Sequence, residues 1–110
     1  METQKQIEEK ELDQEVAKLM AYAPKYLDQY SEYKNGTKEE QERIFRIIDN
    51  ITTAFAFRID HGHTITAICN NKFIEAICHY SGDPRFLVIY AKWIYNYIPM
   101  SWIEQYKKEA

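Results

Sequence analysis

Thirteen consecutive residues, Phe86 to Ile98 (FLVIYAKWIYNYI), include only two polar side chains, Lys92 and Asn96. These two lie one helical turn apart, and with Arg85 they mark a single narrow strip. Every other direction around a helix of this sequence is apolar or aromatic. A helix that is hydrophobic nearly all round belongs in the middle of a fold or in a subunit interface. About 13 residues is well short of the ~20 needed to cross a bilayer. The stretch therefore predicts an all-α domain, a bundle of five or six helices built around a nearly fully buried helix over 84–98.

The rest of the chain supplies helices to surround it. Leu12, Val16, Leu19 and Ala23 recur at spacings of one helical face. Only Ile7 is apolar before them, so the first residues are expected to fray or project. Pro24 removes a helical hydrogen bond and disfavours helix at Ala23, which predicts a break or kink there. Asn35-Gly36 is a turn signal. Thr37-Lys38-Glu39-Glu40 has the pattern of a capping box, in which hydroxyl and carboxylate each satisfy a free backbone N–H. It opens a helix over 38–60 whose apolar face runs through Ile44, Ile47, Ile48, Ile51, Ala54, Phe55 and Ile59. A helix over 65–80 should bury Ile65, Cys69, Phe73, Ala76, Ile77 and Tyr80. Ser81-Gly82-Asp83-Pro84 then ends one helix and begins the next. Pro99 stops that one, and Ser101-Trp102-Ile103-Glu104 reads as a second capping box. No run alternates with period two, so no strand is expected. The chain divides into an acidic, tyrosine-striped arm (1–34) and a helical core (37–110) of one domain.

Charge and cysteine usage narrow the function classes. Up to Glu42 the chain has 11 acidic and 6 basic residues; from Arg43 onward it has 6 acidic and 8 basic. Neither half carries a basic cluster dense enough for a phosphate backbone, so direct nucleic-acid binding is not expected. A helix-turn-helix around Ser81–Pro84 would place the most hydrophobic helix of the chain in the major groove, which argues against it. The N-terminus has neither a basic n-region nor an apolar core. Cys69 and Cys78, set on opposite faces of one predicted helix and roughly 13 Å apart, cannot bridge each other. Reduced, buried cysteines without an export signal lead to the expectation of a cytoplasmic protein that does not associate with membranes. Abundant Ile, Tyr, Lys and Asn with little Gly and Pro suits an AT-rich genome, such as that of a low-GC bacterium or its phage.

Two groups of residues are candidates for function. Tyr22, Tyr26, Tyr30 and Tyr33 are spaced 4, 4 and 3 residues apart, a stripe along one side of the arm. Large rings with a hydroxyl tip are what interfaces favour, so these are the candidate partner-binding anchors. The alternative is that they close over the core. Arg58 continues the apolar line of Ile51, Ala54 and Phe55, where it needs a carboxylate partner or an anionic ligand. With His61, His63 and Glu75 it forms the candidate ligand-binding cluster. Two histidines on a turn are too few for a metal site without distant ligands, so no metal or other cofactor is expected. No phosphate-cradling glycine loop and no nucleophile with a recognisable base is present. The expectation is a non-enzymatic interaction module, a regulator, inhibitor or accessory subunit; the alternative is a ligand- or metal-binding helical protein or small enzyme with a pocket near Arg58, His61, His63 and Glu75. The partner of an interaction module would be another protein, basic or DNA-binding and so attracted to the acidic arm, or a second copy in a homodimer.

Overall fold

Two threonines start the two longest helices, each by accepting a hydrogen bond from a backbone N–H that the first turn leaves unpaired. The structure, a computed structural model, describes residues 3–79 and 83–109 and is all-α. Seven helices and no strand are found among the described residues: α1 (Gln4–Leu27), α2 (Ser31–Lys34), α3 (Lys38–Phe57), α4 (His63–Cys69), α5 (Phe73–His79), α6 (Phe86–Tyr97) and α7 (Met100–Glu109). Thr3 and Gln6 form a reciprocal capping box on α1, so the helix begins at Gln4 rather than fraying. On α3 only half of the expected box forms. Thr37 Oγ1 accepts from the Glu40 N–H at 3.1 Å, but the Glu40 carboxylate takes the Thr37 hydroxyl instead of its backbone N–H.

The expected break at Pro24 does not occur. Pro24 lies inside α1, one turn from its end. An interior proline costs about 3 kcal/mol or more. Beyond it, Tyr26 and Leu27 are almost wholly enclosed, and burying such side chains contributes roughly 1.5–3 kcal/mol each. Tertiary packing holds the last turn in place. The other end of α1 does the opposite: Val16 is the first residue of the helix to enter the core, and the acidic turns before it stand clear of the body. The long axis is therefore 49 Å and the radius of gyration 14.5 Å, above the ~13 Å usual for this length.

The single helix expected over 65–80 is two short ones. After Cys69 the chain turns through Asn71, which takes a left-handed conformation with φ 60°. Asn71 N–H donates to Ile68 O and Lys72 N–H to Ala67 O, the paired bonds of a Schellman stop with asparagine where glycine is usual. The turn rotates α5 so that Phe73 and Ala76 face inward, while Ile77 is exposed and Ile74 is 83% exposed. Cys69 is buried as expected, but Cys78 is exposed. The expectations for Tyr80, Ser81 and Gly82 fall outside the described residues. Asp83 receives the Arg85 backbone N–H and its guanidinium. α7 begins at Met100, so Ser101 lies inside it and no second capping box forms.

The core joins α1, α3, α4, α5 and α6, with Trp93, Tyr90, Phe55 and Leu27 among its largest enclosed side chains. α6 is less enclosed than its composition predicts. Phe86, Leu87, Ile89, Tyr90 and Trp93 are buried, but Val88 is 53% and Tyr95 87% exposed. At seven residues each, α4 and α5 are only about 10 Å long, too short to cover the other side.

Candidate functional site

The tyrosine stripe is built into the molecule. Tyr26 is 2% exposed, and its hydroxyl donates to the Ile89 carbonyl of α6 at 2.5 Å. Its ring packs against Trp93 and Tyr97 with centroids 5.1 and 5.3 Å away. Tyr30 donates to the Tyr26 hydroxyl, and Tyr22 meets Tyr97 both through their hydroxyls at 3.4 Å and through their rings. Tyr33 packs half-buried against the same core. Burial pushes the Tyr26 phenol well above its ordinary value, with the Tyr30 hydrogen bond adding to the effect. What these rings anchor is α1 on α6. Trp93 completes the arrangement: its indole N–H donates to Thr52 Oγ1 at 3.0 Å, and Thr52 donates to the Ile48 carbonyl at 2.8 Å. Aromatic rings this close prefer tilted and edge-on contacts, as here.

The structure does not gather the second group. Arg58 is the C-cap of α3 in a left-handed conformation, φ 57°, ψ 40°. The helix ends before it, and the reversal carries its side chain off the apolar line to the exposed surface. Ile59 follows it out and is 46% exposed. His61 Nε2 lies 2.9 Å from Thr53 Oγ1, closing the loop back onto α3. His63 stacks instead on His79, centroids 5.8 Å apart and planes 27° from parallel. Glu75 is exposed on α5. Four clefts found on the surface are lined by other residues. Among the described residues, no three His, Cys, Asp or Glu side chains are placed to share a metal ion.

The site that geometry does assemble lies on the uncovered side of α6. A half-open groove of about 780 Å3 runs between α6, α7 and the α4–α5 turn. Buried Phe55, Cys69 and Ile98 form its floor, and half-buried Phe73, Ile94 and Ile103 its walls. Tyr95 and Met100 stand on its rim, 87% and 66% exposed. Among the described residues its charged lining consists of Lys92 and Lys107, and no carboxylate faces it. Burial pushes the Cys69 thiol up to about 12, so the sulfur acts as a small apolar surface.

Sequence reasoning passed over this groove because it counted residues 86–98 as core. The signal was present: a helix apolar all round in a chain of 110 residues has more hydrophobic surface than its neighbours can cover. No helix among the described residues is long and apolar enough to cross a membrane. Comparison with protein-family models, with curated proteins and with solved structures returns no significant match.

Proposed function

We propose that this chain is a non-enzymatic protein-interaction module whose α6–α7 groove receives the apolar face of an acidic amphipathic helix from a partner protein. The observation behind the proposal is the groove itself, an apolar trough with an aromatic and a methionine on its rim and only lysines for charge. An apolar groove that takes the i, i+3/i+4, i+7 anchors of a helix is a recurring mode of recognition. Tyr and Met are among the residues enriched at such surfaces. The two lysines give the partner its sign, because like-charge juxtaposition is costly and opposite charge speeds encounter. The expected anchors thus move from Tyr22, Tyr26, Tyr30 and Tyr33 to Tyr95, Met100 and the walls of the groove. The module would act by occlusion, as a regulator, inhibitor or accessory subunit, and would need no cofactor.

Two helical peptides of 18 residues, with the same apolar face but acidic or basic flanks, test the proposal by fluorescence anisotropy. The acidic peptide should bind at least about tenfold more tightly, a difference of ~1.4 kcal/mol. Tyr95→Ala with Met100→Ala should weaken it, and Lys92→Glu with Lys107→Glu should reverse the preference. Binding of neither peptide, or a preference untouched by the charge swap, would refute it. A second copy as occupant would show instead as a dimer in sedimentation, dissociated by Tyr95→Glu.

A further inference from the structure

A second cleft, of about 260 Å3, lies between α3 and the ends of α4 and α5, lined in part by Arg43, Arg46, Asn50, Thr64 and His79. Arg43, Arg46 and Asn50 follow one another at spacings of three and four residues, so they share one face of α3. Among the described residues no carboxylate lines this cleft. Glu42 and Asp49 line the neighbouring cleft on the other side of Arg46. Even so, the Arg46 guanidinium makes no hydrogen bond or ion pair among the described residues, and neither does the side-chain amide of Asn50. Asn50 is half-buried, so its amide meets less water than a surface asparagine does. His79 is held in place twice over: Thr64 Oγ1 donates to its carbonyl at 3.3 Å, and its ring stacks on His63.

The Arg46 guanidinium, the Asn50 amide and His79 thus line one small hollow in which, among the described residues, no carboxylate is found; Arg43, which also lines it, already makes an interaction of its own. We propose that this cleft binds a phosphoryl group, either inorganic phosphate or the phosphate of a small monoester. Arginine supplies planar paired donors that match phosphate oxygens, and such charge-assisted bonds are about twice as strong as neutral ones. The volume lies below the ~300–1,000 Å3 of pockets for larger ligands, which restricts the occupant to a phosphate with a small attached group. The site is separate from the groove and does not depend on it.

The test is a titration of 15N-labelled protein followed by NMR, with inorganic phosphate, with glycerol phosphate and with chloride at matched ionic strength. Backbone amides of Asn50, Thr64 and Ile65 should shift saturably with both phosphates and not with chloride. Tighter binding of the monoester would identify a small phosphoester ligand, and equal binding would identify phosphate itself; both support the site. Arg46→Ala should weaken binding about tenfold or more, while Arg46→Lys should retain part of it. Lys18→Ala, on the exposed side of α1, should leave phosphate binding unchanged. Arg46 is exposed, and an otherwise unchanged spectrum will show that its variants are folded. Shifts that chloride reproduces, or undiminished binding in Arg46→Ala, would overturn the proposal.

Discussion

On the side of α6 that meets α1, Tyr26 and Trp93 are 2% and 0% exposed, and each directs its polar atom to a buried oxygen. On the side that borders the groove, Tyr95 is 87% exposed, with Val88 and Met100 also in water. The residue types are alike, but their neighbours differ. Tyr26 and Trp93 have partners because α1 and α3 are long enough to reach them. Tyr95, by contrast, stands on the rim of the groove with most of its surface in water. Aromatic content alone therefore does not separate an internal anchor from a docking surface; the length of the surrounding helices decides.

The largest test of this contrast is truncation on each side. Tyr26→Ala or Trp93→Ala should cost about 3–5 kcal/mol, a large share of the ~5–15 kcal/mol by which domains are usually stable. Tyr95→Ala should stay within ~0.5 kcal/mol, as surface substitutions do. Urea unfolding followed by circular dichroism measures both. Equal losses on the two sides would mean that Tyr95 is packed in solution. Thr52→Val comes next. It leaves the Trp93 indole without an acceptor in the core, which should cost about 1–3 kcal/mol with little change in volume.

The same contrast appears under alkali. The Tyr26 phenol is raised by burial first and by its hydrogen bond with Tyr30 second, and the Cys69 thiol is raised to about 12 by burial. A group whose folded-state value lies above its unfolded one contributes stability fully below the unfolded value and loses it as pH rises. Unfolded thiols titrate near ~8.5 and phenols near ~10. Stability should therefore begin to fall above about pH 8.5 and fall faster above pH 10, by up to ~1.4 kcal/mol per pH unit for each group. Urea midpoints at pH 8, 9.5 and 11 would show it, and Cys69→Ala should remove the earlier part of the slope. A disulfide-exchange reagent at pH 8 gives the matching readout: exposed Cys78 should react at once and Cys69 only on unfolding.

Where local chemistry determines structure, the sequence was legible. The start of α3 at Thr37, the turn at Asn35-Gly36 and the stop before Pro99 all follow from single residues whose backbone preferences leave few choices. The helical class followed from spacing. Pro24 misled because its cost is local, while the burial that outweighs it comes from α6, some sixty residues away. The split at Asn71 was missed because asparagine is a weaker stop signal than glycine; its left-handed backbone and the paired bonds to Ile68 O and Ala67 O reveal it. The tyrosine stripe was visible, but periodicity cannot say whether a stripe faces outward or into its own fold. The groove is a property of helix lengths and packing angles, which no short motif encodes.

Arg58 offers the smallest and most discriminating test of the candidate cluster. A non-glycine residue in the left-handed region carries a cost of about 1 kcal/mol that glycine avoids, and the position just past a helix end is where glycine is usually found. If Arg58 serves only to end α3, Arg58→Gly should relieve this strain and raise stability by up to ~1 kcal/mol, less the contribution of whatever its side chain touches. The groove side should not respond, and binding of the acidic peptide should be unchanged. A loss of stability in Arg58→Gly, recovered in Arg58→Lys, would mean that charge at this corner holds the loop from Ile59 to Gly62 in place. That outcome would restore Arg58 as a functional residue. A gain would leave the uncovered side of α6 as the region where binding should be sought.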